Sequence, residues 1–417
     1  MDYFIITSIL VFISALFGYL NIRYIKLPNT IGLTVITIFF TLGIFALSYF
    51  DDTLLNAERY IITQIDFRTV LLDIMLSFLL FAGALHTDLK KLKELRGPVF
   101  LFATFGVLVS TFLVGIAVYY MLHGIGLDIK MIHCLLFGAL ISPTDPIAVL
   151  GILKKANVPK KLEIKIVGES LFNDGVGVVI FLTIFGLASG GGTDFSFTNI
   201  MSLFVHEVGG GVLLGILLGW ITFRLMKSID DYNIEVIITL AAVMTGTVIA
   251  EYLHVSAPLA MVVAGLMVGG KKSRQQAMSE LTENYVDKFW ELIDILLNTV
   301  LFVLIGMELL VLDLEPEFLL AGLLTIPIAL ICRYVSLVIP VSIFKRRLDF
   351  VPNTNLIMTW GGLRGAISIA LALGLTAEMH RDLFLVITYV VVIFSIIVQG
   401  LTVGKLVKKL RRKDAAI

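Results

Sequence analysis

Charge is what this chain has least of. Only 15% of its 417 residues are Asp, Glu, Lys or Arg, where a soluble domain carries about a quarter. Such a chain cannot clothe a soluble surface, which excludes the ordinary globular enzyme. Cysteine is nearly absent as well. Cys134 and Cys332 both lie within apolar runs, so they read as small buried hydrophobes and supply neither a disulfide framework nor a metal cluster. The six histidines form no metal motif such as H-E-x-x-H, and most fall near the ends of apolar runs. No P-loop is present. No stretch between apolar runs is long enough for a separate soluble domain.

What is abundant is apolar sequence. Hydrophobic residues make up 58% of the chain, and the mean hydropathy is +0.97. Runs of about 18 residues or more recur along the whole length, which predicts an all-α polytopic membrane protein. Thirteen spans are expected, at about 3–22, 31–50, 69–88, 97–121, 131–153, 163–189, 200–223, 232–253, 256–270, 289–312, 317–344, 353–376 and 382–404. The opening M-D-Y-F lacks a basic n-region, so the first span is expected to be retained.

The linkers fix the sidedness. Of 32 lysines and arginines, 26 fall in the linkers of one side. Only Arg59, Arg68, Lys130 and Arg381 fall on the other, and Arg333 and Arg364 remain within spans. By the positive-inside rule this puts the N-terminus outside and the C-terminus in the cytoplasm of a cell (inner or plasma) membrane. The short basic tail, 405–417, follows a span directly, so it reads as an anchor to anionic lipid, not a nucleic-acid patch. Gly211, Gly215 and Gly219 share one face of the seventh span. Close packing inside the bundle is the expected use, and an oligomer interface the alternative.

The stretch 142–175 concentrates the unusual chemistry. It reads S-P-T-D-P at 142–146 and G-E-S-L-F-N-D-G at 168–175. An acid in a membrane span costs about 2.5–3.5 kcal/mol on insertion scales, yet Asp145, Glu169 and Asp174 fall within thirty residues of one another. Pro143 and Pro146 bracket Thr144 and Asp145, each removing a backbone donor, so an interrupted helix is expected in the fifth span. Free carbonyls beside a carboxylate suit a hard monovalent cation. In the sixth span Ser170, Asp174 and Gly177 share a face, with Glu169 and Asn173 on the adjacent stripe. Oxygen-only ligands argue for Na⁺ or Li⁺ rather than a transition metal.

The twelfth span carries W-G-G-L-R-G at 360–365. Three glycines in five residues weaken the helix, so a second interruption is expected, in the other half of the chain. That placement suggests an inverted repeat. Arg364 needs a carboxylate partner. Asp145, Glu169 and Asp174 are the candidates. Glu169 is favoured, because pairing with a transport acid would neutralise the group that must hold the cation. Asp73, Glu251 and Glu308 lack a companion cluster.

T-D-P-I-A-V at 144–149, G-E-S-L-F-N-D-G-V-G-V-V at 168–179 and G-G-L-R-G-A-I at 361–367 together resemble the electroneutral monovalent cation/proton antiporters, the group of NhaP and the sodium/hydrogen exchangers. The resemblance extends over essentially the whole chain. It implies that Asp174 alternately holds a cation and a proton, with Asp145, Thr144, Ser170 and Asn173 as companions around Na⁺. It implies Glu169 and Arg364 as a structural ion pair. It implies two inverted repeats divided between a core bundle (including 97–189 and 317–404) and a dimerisation bundle, hence a homodimer. One departure stands out. Many prokaryotic relatives have a glutamate in the third span, where this chain has Ala82.

The expected mechanism is competition. Burial disfavours a bare carboxylate, so Asp174 holds either H⁺ or Na⁺. If only the neutralised site changes face, obligatory exchange follows, driven by an ion gradient and needing no cofactor. A K⁺/H⁺ antiporter of the same fold is the nearest alternative. A cation channel is a remoter one. An intramembrane aspartyl protease is remoter still: such enzymes show Y-D and G-x-G-D patterns, and neither Asp145 nor Asp174 sits in one.

Overall fold

A bilayer offers no water to backbone amides, so long apolar runs must close their hydrogen bonds internally, as helices. The computed structural model describes residues 3–48, 53, 56, 69–87, 89–94, 96–145, 160–189, 197–312, 314–344 and 353–414. Among the described residues there are helices and connections and no strand. Those that build the bundle are, in order, α1 (Tyr3–Leu20), α2 (Asn29–Leu47), α3 (Leu76–Leu85, entered through a π-helical turn over Val70–Met75), α4 (Val107–Gly124) and α5 (Met131–Ile141). Next come α6 (Lys160–Ala188), α7 (Phe197–Lys227), α8 (Tyr232–Tyr252), α9 (Ala257–Gly269) and α10 (Glu280–Met307). The chain closes with α11 (Pro316–Phe344), α12 (Thr354–Gly361), α13 (Ala366–Leu373), α14 (Arg381–Phe394) and α15 (Gly400–Asp414).

Among the described residues, nine helical runs are long and apolar enough to cross a membrane, and the bent pair α12–α13 can make a tenth. Three shorter apolar helices, Val70–Leu85, α5 and α9, fall where the third, fifth and ninth spans were expected. Residues 146–159 lie outside the described residues, and with them Pro146 and the second half of the expected fifth span. So do several linker charges: Arg59, Arg68, Lys154, Lys155 and the basic group at 345–347. The tail at 405–414 is not a separate strand of coil. It is helical, continuing α14 through a π-helical turn (Ser395–Gln399) into α15.

Side chains finish what the helices cannot satisfy alone. Asp231 caps α8 by accepting from the N–H groups of Asn233 and Ile234, at 3.0 and 3.2 Å. Arg274, in the short polar helix Lys271–Ala277 between α9 and α10, donates to the last carbonyls of two helices, Gly269 at 3.0 Å and Leu85 at 2.9 Å. Thr34 and Thr37 return their hydroxyl protons to carbonyls one turn back, the usual resort of a hydroxyl in an apolar span.

Two interiors result. The larger joins α4, α5 and α6 to α11–α15, with α1, α2 and the far half of α10 packed on it. The smaller joins α3, α7, α8, α9 and the near half of α10 around the fully buried Trp290. The glycine face of α7 is used inside the bundle: a Cβ at Gly211 would stand 2.7 Å from the Ser256 carbonyl oxygen, and one at Gly219 would stand 2.9 Å from Met267. That close approach locks α7 against α9. Between the two interiors lies a seam where α6 faces α3 and α9.

Candidate functional site

Two unwound segments meet beside that seam. Helix α5 stops at Ile141, and residues 143–145 are not helical. Helix α12 stops at Gly361, and α13 resumes at Ala366 after a bend of 53°. The segments are joined backbone to backbone, the Asp145 N–H donating to the Leu363 carbonyl at 2.8 Å. Gly365 lets them touch, since a Cβ there would lie 2.9 Å from Asp145 Cγ. The glycines expected to weaken the twelfth span therefore do two things: they end the helix and they admit a neighbouring carboxylate.

Helix α6 supplies the third wall. Gly177 accommodates the Pro143 ring, which brings the Ser170–Asp174 stripe against the broken end of α5. Thr144 is then held from two sides. Its hydroxyl shares a hydrogen bond with Ser170 Oγ at 2.9 Å and accepts from Asn173 Nδ2 at 2.9 Å, while its N–H donates to Asn173 Oδ1 at 3.4 Å. Asp174 is 3% exposed. Its side chain and that of Asp145 line one cavity of about 70 Å³, large enough for several waters at about 10–15 Å³ each. The five residues expected around the cation, Thr144, Asp145, Ser170, Asn173 and Asp174, are thus neighbours in space.

The expected pair of Glu169 with Arg364 does not form. Glu169 is bound by Arg333 of α11, and both side chains are buried. Arg364 donates instead to the carbonyls of Ser142 and Pro143, at 3.0 and 3.2 Å, and its own N–H is held by Ser395 Oγ at 2.9 Å. The physical reason is the end of α5. A helix that stops at Ile141 leaves its last carbonyls without intrahelical donors and a partial negative charge at its C-terminus. A guanidinium satisfies both without consuming a carboxylate. Arg333 was visible in the sequence as an arginine inside a span; with no glycine break beside it, nothing local tied it to Glu169.

Two further polar residues were not singled out from sequence. Asn298 of α10 lines the same cavity as Asp145 and Asp174, and its amide donates to Asp294 Oδ1 at 3.0 Å. A helix-period reading of α10 places both on one face, four residues apart. Ala82 is buried against α9 and α10. The part of α3 that lines the cavity is Leu76, Leu79, Leu80 and Gly83, so α3 brings no carboxylate to it.

The profile of the family described as "Sodium/hydrogen exchanger, transmembrane" matches residues 11–409. The chain belongs to the sodium/hydrogen exchanger family. It is 47% identical to the Na⁺/H⁺ antiporter NhaP of Pseudomonas aeruginosa, over 95% of each chain. It is 32% identical to the Na⁺/H⁺ antiporter NhaH of Halobacillus dabanensis, over 93% of each. The solved sodium/proton antiporter MjNhaP1 of Methanocaldococcus jannaschii superposes with a TM-score of 0.75 over 98% of this chain and 99% of that one. At 19% identity, that likeness speaks for the fold. As a member of the exchanger family the protein is a multi-pass membrane transporter rather than an enzyme, its task is the exchange of cations for protons, and it requires no cofactor.

Proposed function

We propose that this exchanger carries Na⁺ (or Li⁺) one way and H⁺ the other, one for one, with both competing for Asp174. The observation that carries the reading is the placement of Asp174 and Asp145 in a single cavity at the crossing of the unwound segments. Asp174 is deeply buried and Asp145 only half-buried, so Asp174 is the acid that cannot stay bare. Burial disfavours an uncompensated carboxylate; the group must hold a proton or a cation, and one ligand excludes the other. Na⁺ accords with the oxygen donors available: two carboxylates, the Thr144 and Ser170 hydroxyls and the carbonyls of a broken helix. The Na⁺/H⁺ antiporters related to this chain by name agree with that choice of ion.

Arg364 and the Glu169–Arg333 pair serve as scaffold in this reading. They neutralise the broken helix end and hold α6 against α11, leaving the net charge of the cavity to the two aspartates. Movement between faces is supported by a second cavity, of about 280 Å³, in the same seam. It is lined by Val178 and Leu182 of α6 on one side and by Glu207, Glu251 and His254 on the other. Leu76 borders both cavities, so a small shift of one bundle against the other along the seam would close one approach to Asp174 and open the second. The basic linkers put the Asn298 end of the site toward the cytoplasm of the cell membrane. The smaller interior, with α7 packed tightly on α9, is the bundle we assign to scaffold and homodimer contact.

The test is dye-reported antiport in inverted membrane vesicles with Na⁺, Li⁺ and K⁺ supplied in turn. Dequenching with Na⁺ and Li⁺ is expected. A response to K⁺ alone would replace Na⁺ by K⁺ in this reading.

A further inference from the structure

Helix α10 carries more polar chemistry than the exchange site uses. Asp287, Glu291, Asp294 and Asn298 follow one another at spacings of four, three and four residues, which lays them in one stripe down the helix. The stripe begins in the first turns of α10, where Arg274 binds Asp287 at 2.7 Å and His86 faces it at 3.6 Å. It ends at Asn298, in the wall of the cavity that holds Asp145 and Asp174.

The last step of the stripe is incomplete. Asn298 Nδ2 donates to Asp294 Oδ1 at 3.0 Å and to the Asp294 carbonyl at 2.8 Å. Its Oδ1 is buried without a partner, in a residue only 7% exposed. The amide cannot be turned to relieve this, because the oxygen would then face a carboxylate and a carbonyl. A buried acceptor left unmatched is costly. What it lacks is a donor or a cation. Asp294 is half-buried beside it, with Asp145, His86 and Glu291 as the titratable groups around it. Arg274 is engaged by Glu283 and Asp287, and among the described residues Asp294 has no basic partner within ion-pair distance.

We propose that Asp294 and Asn298 form a staging site for the monovalent cation, one step toward the basic linkers from Asp145 and Asp174. A carboxylate and an unmatched amide oxygen, set against the leucines of α3, focus negative potential in a low-dielectric wall. Such a site raises the local cation concentration on the approach from one face. It acts on capture rather than on the change of face. The proposal rests on the reading of Asp174 and Asp145 as the exchange site.

The experiment is the Na⁺ dependence of exchange in oriented proteoliposomes, with Na⁺ added at the basic-linker face and, separately, at the opposite face. Asp294→Asn is expected to raise KM about five- to tenfold at the basic-linker face only, with the maximal rate held within about twofold. The gap from wild type narrows as choline chloride raises the ionic strength. Asn298→Ala shifts KM in the same direction, and Asp294→Glu restores it. A wild-type KM in Asp294→Asn and Asn298→Ala overturns the proposal. So does a rise of equal size from both faces, or a lowered melting temperature with KM unmoved. Should Asp294→Asn not fold, Asn298→Ala carries the same decision. Failure of the parent reading looks different: Asp174→Asn would then keep exchanging.

Discussion

Glu169 on α6 and Arg333 on α11 are 164 residues apart in sequence and form a buried ion pair, with side-chain exposures of 2% and 1%. Removing one partner leaves the other charge unmatched, at a cost of roughly 3–5 kcal/mol. Arg333→Gln and Glu169→Gln are therefore expected to lower the melting temperature and the yield before they touch cation affinity. Arg364→Gln removes donors to two carbonyls and leaves no bare acid behind, so it should cost less in melting temperature than Arg333→Gln. Thermal unfolding of the three purified variants checks the order. A Glu169→Gln variant with unchanged melting but altered Na⁺ dependence would move Glu169 from scaffold to site.

Asp174→Asn should fold and fail to exchange. The amide keeps the size of the side chain and can neither bind a proton in the physiological range nor pay the charge of Na⁺. Vesicle antiport should be lost while detergent-solubilised protein melts as wild type. Wild-type antiport from this variant would remove Asp174 from the centre of the mechanism.

Gly365→Ala places a methyl group against the Asp145 carboxylate, where a Cβ would lie 2.9 Å from Cγ. The backbone there is extended, with φ of −125°, so alanine adds no conformational strain and the effect is displacement alone. Misplacing a reacting group by about 1 Å can cost a hundredfold in rate; a loss of about tenfold or more is expected here, with near-normal expression. Exchange at the wild-type rate would show that the two unwound segments need not touch.

Stoichiometry should follow from charge. With Asn173 neutral and the Glu169 charge matched by Arg333, the proposed exchange site rests on Asp145 and Asp174, and on that reading one proton leaves for each cation that enters. A transmembrane potential is worth about 2.3 kcal/mol per charge per 100 mV, and an electroneutral cycle cannot use it. Transport in proteoliposomes should keep its rate and end-point when valinomycin sets the potential. A voltage-shifted Na⁺/H⁺ end-point would require two protons per cation.

The sequence by itself determined the class and the local geometry on which the proposed site rests. Scarcity of charge and long apolar runs allow only helices in a bilayer, because nothing else satisfies the backbone there. The motif S-P-T-D on one span and E-S-L-F-N-D on the next were legible because both rules involved are local: proline removes a donor, and helical periodicity puts Ser170 and Asp174 on one face. The W-G-G-L-R-G break was legible for the same reason. Local rules stop at the helix surface. Which arginine meets Glu169 depends on how α11 crosses α6, and no residue near Arg333 records that crossing. The role of Arg364 depends on carbonyls that the end of a different helix, α5, leaves free. Asp294 and Asn298 show the same limit: their common face on α10 is written in the spacing, but that this face looks onto Asp145 is decided by packing between helices far apart in the chain.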